Sequence, residues 1–144
     1  MTQKPDDDLD VLSPELELTL GGEKVTVREF SFAQALRAEP LVQPMIEDLR
    51  QVFGDGEPED IEYGRIAAVF GRHAEAFLDL MALATGRDRA WIEALGDEDG
   101  QLLAMTFWRV NSGFFTRRLV IAEVSSRARA AAAQEQAGEK SLPH

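Results

Sequence analysis

The chain has 144 residues, of which 44% are hydrophobic and 28% charged, and this composition fits one soluble domain built around one core. It has no cysteine, which excludes disulfide bonds and thiolate metal ligands. Its net charge of −11 repels a phosphate backbone, so we expect no direct binding to nucleic acid.

Residues 1–14 combine two prolines with four aspartates and carry little apolar surface, so we expect a disordered acidic tail. The segment also lacks the apolar run of a secretory signal peptide. Acidic side chains are concentrated in residues 1–62, which hold 16 acidic and 5 basic side chains. This part of the chain is predicted either to be an ordinary solvated surface or to steer a basic partner.

Alternating apolar residues predict a β-hairpin within residues 15–30. Leucine occupies every second position from Leu16 to Leu20, and valine does so at Val25 and Val27, on either side of a Gly-Gly turn. Two strands alone are only marginally stable. We therefore expect the hairpin to lie on the helices or to extend a sheet in a second subunit.

Three helices are predicted between the hairpin and about residue 84. The first begins with a capping box, in which Ser31 is followed by glutamine three positions later. Proline removes a backbone donor and restricts the preceding residue, so Pro40 is expected to end this helix. A second helix is expected over about residues 41–53, with Pro44 in its first turn. A third is predicted over about residues 59–84.

The third helix carries a strip of small side chains along one side. Its members are Gly64, Ala67, Ala68, Gly71 and Ala74. Glycine lowers helix stability, so its repeated use on one side indicates that another helix packs closely there.

The stretch from Leu102 to Val124 is predicted to be a central helix around which the other elements pack. Six apolar residues keep helical spacing along one stripe: Leu103, Phe107, Val110, Phe114, Ile121 and Val124. Other apolar residues cover much of the remaining circumference, so the helix is expected to be buried in its own domain or against other chains. Polar residues interrupt it too often for a membrane span. Gly113 within it indicates a bend or a close neighbouring backbone.

The predicted fold is therefore mainly α with a small N-terminal β-hairpin, an α+β domain packed around a central C-terminal helix. It comprises one globular domain over residues 15–124, with the hairpin in residues 15–30 and the helices in about residues 31–124. Residues 125–144 are alanine-rich and lose the apolar stripe, so we expect a frayed helical or disordered tail.

Four aromatic side chains of the central helix are the candidate protein-binding residues: Phe107, Trp108, Phe114 and Phe115. They exceed what one narrow stripe needs, because neighbours in sequence point in different directions. One interpretation is a thick core surrounded by the hairpin and two helices. The other is a face that binds a client protein or a second copy of the chain.

The sequence contains no recognised catalytic motif. His73 lies within an apolar helical stripe, which is typical of a buried, hydrogen-bonded histidine rather than a catalytic base. The sequence contains no phosphate-binding loop, nucleophile elbow or paired-histidine zinc motif. We expect no catalytic activity, no cofactor and no metal site.

The order of these elements resembles the tail assembly chaperones of long-tailed bacteriophages, particularly those of Mu-like transposable phages. The resemblance spans roughly residues 15–124. It is carried by the valine-rich strand at residues 24–27, the capped helix at residues 30–36, the segment at residues 80–86, and the Asn-Ser-Gly-Phe-Phe run at residues 111–115.

The resemblance implies a non-catalytic chaperone that coats the long, largely helical tape-measure protein before the tail tube polymerises around it. It also implies the tail-tube protein as a further partner, through a frameshifted longer product, and self-association. Such a chaperone works in the host bacterial cytoplasm and is absent from the mature virion.

An alternative function is a small acidic inhibitor or regulator, including a DNA mimic, that occupies a basic groove of a protein partner. It would bind through residues 1–62. This alternative predicts loss of activity when five acidic residues are reversed in charge: Glu15, Glu17, Asp55, Glu59 and Asp60.

Overall fold

The computed structural model describes residues 15–54 and 62–141, with side chains described as far as residue 137. The predicted acidic tail, residues 1–14, lies outside the described residues. So do Asp55, Glu59 and Asp60, three of the five positions named for the acidic inhibitor.

The architecture is mainly helical with one antiparallel hairpin, which confirms the predicted fold class. The hairpin consists of β1 (Glu15–Leu20) and β2 (Glu23–Arg28). The helices are α1 (Phe32–Phe53), α2 (Tyr63–Arg72), α3 (Ala74–Thr85), α4 (Arg89–Glu93) and α5 (Asp97–Ser141).

The hairpin turns at Gly21 and Gly22, which adopt φ values of 57° and 82°. These values are costly for residues with a Cβ atom, so the two glycines suit a tight turn. Leu20, Val25 and Val27 on the inner face are buried, and the hairpin packs on α3 and α5 of its own chain. The hairpin was expected either to lie on the helices or to extend a sheet in a second subunit, and in the structure it lies on the helices.

α1 is continuous through both prolines, so the prediction that Pro40 ends a helix is wrong. The predicted capping box at its start is present, because Ser31 and Gln34 each bond the backbone of the other. Pro40 and Pro44 lie four residues apart on the exposed side, where water can bond the carbonyls that lack a partner. The opposite side buries Ala38, Val42, Met45 and Leu49.

The predicted third helix is divided at His73, so the prediction of a single helix over residues 59–84 is wrong. His73 has φ −121° and ψ 44°, outside the helical region. Its Nε2 lies 2.7 Å from Oδ2 of Asp48 on α1. The rings of Phe70 and Phe77 stack across the break with centroids 4.1 Å apart. The partner of His73 comes from another helix, so helical spacing around His73 could not reveal it.

The Asp48 carboxyl lies beside two basic side chains, those of His73 and Arg72. The hydrogen bond from His73 lowers the pKa of Asp48, and the Arg72 guanidinium nearby lowers this pKa further. The ion pair between Arg72 and Asp48 spans 3.8 Å. Because the pKa of Asp48 is lowered in the folded state, its carboxylate stabilises the fold at any pH above the ordinary aspartate pKa of about 3.9. This stabilisation is lost as the pH falls through the lower pKa that Asp48 has in the folded state.

We therefore expect Asp48→Asn to lower the melting temperature at neutral pH. The difference from the unaltered protein should narrow as the pH falls below about 4, because the unfolded state then binds a proton at Asp48 that the folded state binds only at lower pH. Thermal unfolding followed by circular dichroism between pH 7 and pH 3 measures it. Glu17→Gln, an exposed position on β1, controls for the loss of one charge. A difference that stays constant with pH would show that another contact of Asp48 is responsible.

α5 is the central helix, but at 45 residues it is much longer than the predicted 102–124 stretch. Its first half forms the axis of the core, where the first four members of the predicted stripe are at most 4% exposed. The last two members are not buried: Ile121 is 65% exposed and Val124 61%. The helix continues without a break through Ser141, beyond the predicted domain boundary at residue 125, and its side chains are exposed over residues 127–137.

Candidate protein-binding surfaces

The four predicted binding residues occupy two different environments. Phe107, Phe114 and Phe115 are at most 1% exposed and belong to the core. Trp108 is half-buried and stacks on Phe53 at a centroid distance of 6.0 Å. The hypothesis of an exposed aromatic face is therefore corrected for the three phenylalanines, because the hairpin and neighbouring helices complete their burial. These three offer no surface to a partner in this fold.

The rings that complete this burial come from elsewhere in the chain. Phe30, which follows β2, lies 5.9 Å from Phe107 and 5.0 Å from Phe114 between ring centroids. Phe70 lies 5.8 Å from Phe115, and Phe77 lies 5.4 Å from Phe107. The sequence showed these phenylalanines as apolar positions, but it contained no signal that they would meet around one helix.

An open groove of about 440 Å³ lies between α2, α3, α4 and the start of α5, and we call it the α2–α4 groove. Most of its lining is apolar or small and includes Ala67, Phe70, Gly71, Ala74, Leu78, Met81, Leu95 and Gly100. Tyr63 also lines the groove, and burial raises the pKa of its hydroxyl to about 12. This size and lining are typical of binding clefts.

The predicted strip of small residues forms part of the groove wall and does not pack against another helix. A Cβ atom built at Gly64 or Gly71 meets no heavy atom within 4 Å. The prediction that another helix packs closely against this strip is therefore wrong for the described residues. Gly71, Ala67 and Ala74 instead line the groove, whereas Gly64 lies outside it. The sequence indicated a surface suited to a helix, and no described helix of this chain occupies it.

Two acidic residues, Glu93 and Asp97, line the groove, and its lining contains no basic residue. Glu93 pairs with Arg89 at 3.0 Å, and the same guanidinium also pairs with Glu75 and Asp79. An apolar ligand flanked by positive charge matches a lining that is apolar apart from these acidic groups.

A second exposed surface lies on the later part of α5. Val120, Ile121 and Val124 are 57%, 65% and 61% exposed, and we call them the C-terminal stripe. Beside them, a cleft of about 500 Å³ runs between α1 and α5, with Arg117 and Arg129 in its lining. The cleft lining holds four arginines and two glutamates, Glu39 and Glu47, so its net charge is positive, opposite to that of the α2–α4 groove.

Gly113 has a local explanation within α5. A Cβ atom there would lie 3.3 Å from Nη1 of Arg117, which folds back over it. The close neighbour predicted at Gly113 is thus a side chain of the same helix and not a second backbone.

His73 and Asp48 line neither the groove nor the cleft. Over residues 15–54 and 62–141, no three His, Asp or Glu side chains come together as a metal site requires. The helices in this part of the chain include none with the length and apolarity needed to cross a membrane.

The fold and these surfaces define a small, mainly helical α+β protein with an N-terminal hairpin and an open apolar groove. The chain belongs to the family of unknown function DUF6631, which matches residues 8–144 and so includes the hairpin and all five helices. No curated protein and no solved structure matches the chain.

Proposed function

We propose that this protein is a tail assembly chaperone of a long-tailed bacteriophage, which binds the tape-measure protein and keeps it soluble during tail morphogenesis. The observation that carries the proposal is the α2–α4 groove, an open apolar cleft with small residues along one wall. The order of elements that resembles this class of chaperones supports the choice of client.

The groove suits one helix of a client. Gly71 and the alanines beside it have small side chains that project little into the groove. A client helix can therefore approach until its axis lies about 8–10 Å from that of the neighbouring helix. Leucine-sized side chains of the client would enter the apolar lining, and burying each one contributes about 1.5–3 kcal/mol. The carboxylates of Glu93 and Asp97 in the lining then favour a client helix whose apolar face is flanked by lysine or arginine.

The net charge of the chain supports the other half of the proposed function, which is to keep the bound client soluble. Each bound copy adds a charge of −11 at neutral pH, and coats of like charge repel one another. Polymerisation of the tail tube would then replace the chaperone on the client. The protein acts in the host bacterial cytoplasm and is absent from the mature virion, with the tail-tube protein as a further partner.

Gly71→Arg is the substitution that tests the groove, with Gly64→Arg as its matched control. Both sites are helical glycines on α2 with open space at Cβ, and both substitutions add the same charge, but only Gly71 lines the groove. Each variant is co-expressed with the tape-measure protein of the same phage genome. We expect Gly71→Arg to weaken co-purification and client solubility about tenfold or more, which corresponds to about 1.4 kcal/mol. Gly64→Arg should bind normally.

Two results would contradict this proposal. The first is equal binding by both variants when circular dichroism shows that both are folded. The second is loss of partner binding on charge reversal of Glu15 and Glu17, exposed on β1, with no effect of Gly71→Arg. That second result favours the acidic inhibitor.

A further inference from the structure

The second half of α5 presents an apolar face that the other described elements leave uncovered. At about 100° per residue, six apolar side chains fall within a sector of about 120° on this part of the helix. The three larger ones are 57–65% exposed, and the three alanines are exposed as well. Helices of globular proteins normally bury a sector of this width. We call these residues the distal face: Val120, Ile121, Val124, Ala128, Ala131 and Ala132.

Positive charge borders the distal face. By the same helical geometry, Arg127 lies beside the sector on one side and Arg129 beyond its other side, while Arg117 begins it and Glu135 ends it. Three arginines against one glutamate give this border a net positive charge. Arg127 pairs with Glu123 at 2.9 Å and is 74% exposed, and an exposed pair of this kind contributes little, so Arg127 can exchange its partner.

The α2–α4 groove has the complementary properties. Its wall is formed partly by the small residues Ala67, Gly71 and Ala74, and its only charged lining residues are Glu93 and Asp97. Small side chains on two facing helices allow their axes to approach closely. The carboxylates of the groove and the arginines around the distal face have opposite charges, which attract. A helix with the properties of the distal face is therefore a ligand that this groove favours.

The distal face cannot reach the groove of its own chain. α5 is one continuous helix over Asp97–Ser141, and Gly100 and Ala104 at its start line the groove. Val120 lies sixteen helix positions beyond Ala104, which is about 24 Å along the axis, and the rest of the distal face lies farther away still. Only the groove of another molecule can therefore receive it.

We propose that the distal face of one copy docks in the α2–α4 groove of a second copy, so that the chain associates head to tail. The two surfaces are different, and each docked copy keeps one groove or one distal face free. Association therefore continues beyond the dimer. An alternative contact between two distal faces would bring the arginines of both copies together, which costs electrostatic free energy.

This inference does not rest on the proposed client, although the two would share one groove. A client helix has to displace the α5 helix of a neighbouring copy before it can bind. Self-association then covers both apolar surfaces of the protein as long as no client is present.

Two matched pairs of variants of the full chain test the docking. Ala128→Asp places a carboxylate on the distal face, and its control Ala130→Asp makes the same change at an exposed alanine of α5 that points about 160° away. Gly71→Arg blocks the groove, and Gly64→Arg is its control outside the groove. Sedimentation velocity over about a hundredfold range of protein concentration measures the dissociation constant.

We expect the unaltered protein to grow beyond a dimer as its concentration rises. Ala128→Asp and Gly71→Arg should each raise the dissociation constant about tenfold or more, whereas both controls should behave like the unaltered protein. Circular dichroism checks that all four variants are folded. Because the Ala128→Asp copy keeps an intact groove, it should still co-purify with the client, which separates this inference from the proposed function.

Mixing the two interface variants gives the most specific result. The Ala128→Asp copy has an intact groove, and the Gly71→Arg copy has an intact distal face. One head-to-tail contact can therefore form between them, and association should stop at a dimer that contains one copy of each.

Three outcomes would overturn the proposal. The first is an unaltered protein that stays monomeric over the whole concentration range. The second is association that Ala128→Asp weakens and Gly71→Arg does not, which would mean that two distal faces pair with each other. The third is a mixture of the two variants that forms no dimer although both are folded.

Discussion

Replacing Phe107 with alanine is expected to lower the free energy of unfolding by about 3–5 kcal/mol, the cost of a large cavity in a packed core. Phe107 is fully buried, and its ring lies 5.4–6.4 Å from four other phenylalanine rings. Three of these neighbours, Phe30, Phe70 and Phe77, lie outside α5, so no single local movement can close the space that alanine leaves.

Urea denaturation followed by circular dichroism measures this loss. Met105→Ala is the matched control, because Met105 lies two residues earlier on α5 and is 50% exposed. Its substitution should change the free energy by no more than about 0.5 kcal/mol. Similar losses at Phe107 and Met105 would show that Phe107 is not at the centre of the core.

Asn111→Leu is expected to cost about 2–4 kcal/mol, even though leucine has a similar volume. Asn111 is fully buried. Its Oδ1 accepts from the Phe30 N–H at 2.9 Å, and its Nδ2 donates to the Arg28 carbonyl at 3.0 Å. Leucine would leave both backbone groups without a partner at the point where the hairpin joins α5.

The specific prediction is that the hairpin loosens before the helices do. Amide hydrogen exchange should show faster exchange at Phe30 and along β2, with α3 little changed. Thr116→Val is the control, because the Thr116 hydroxyl donates only to the Ser112 carbonyl one turn earlier in the same helix. Its cost should stay below about 1 kcal/mol. Uniform exchange across the chain in the Asn111 variant would contradict the anchoring role.

Several features could be predicted because their signals are local. The alternation from Leu16 to Leu20 and the glycine pair define a hairpin within a dozen residues. The capping box at Ser31 depends on two side chains three positions apart. The apolar content of residues 102–124 required a central helix, and its first half is the axis of the core. The candidate function came from the order of these elements, and it remains a proposal.

Other features depended on contacts between distant parts of the chain. Pro40 does not end α1, because its exposed side can hydrate the affected carbonyls while the other side remains packed. His73 interrupts a helical pattern and contacts an aspartate 25 residues earlier. The spacing of the three buried phenylalanines of α5 is the same in a buried core as on an exposed binding face, so the sequence could not distinguish the two.

The sequence by itself determined where strands and helices form, because hydrophobic periodicity, capping and turn residues act over a few neighbouring positions. Only the tertiary structure decided which apolar surfaces are covered. The same stripe of α5 is buried from Leu103 to Phe114 and exposed at Ile121 and Val124. The small residues from Ala67 to Ala74 border an open groove for the same reason: burial depends on which elements meet in space, and spacing along one helix does not encode its neighbours.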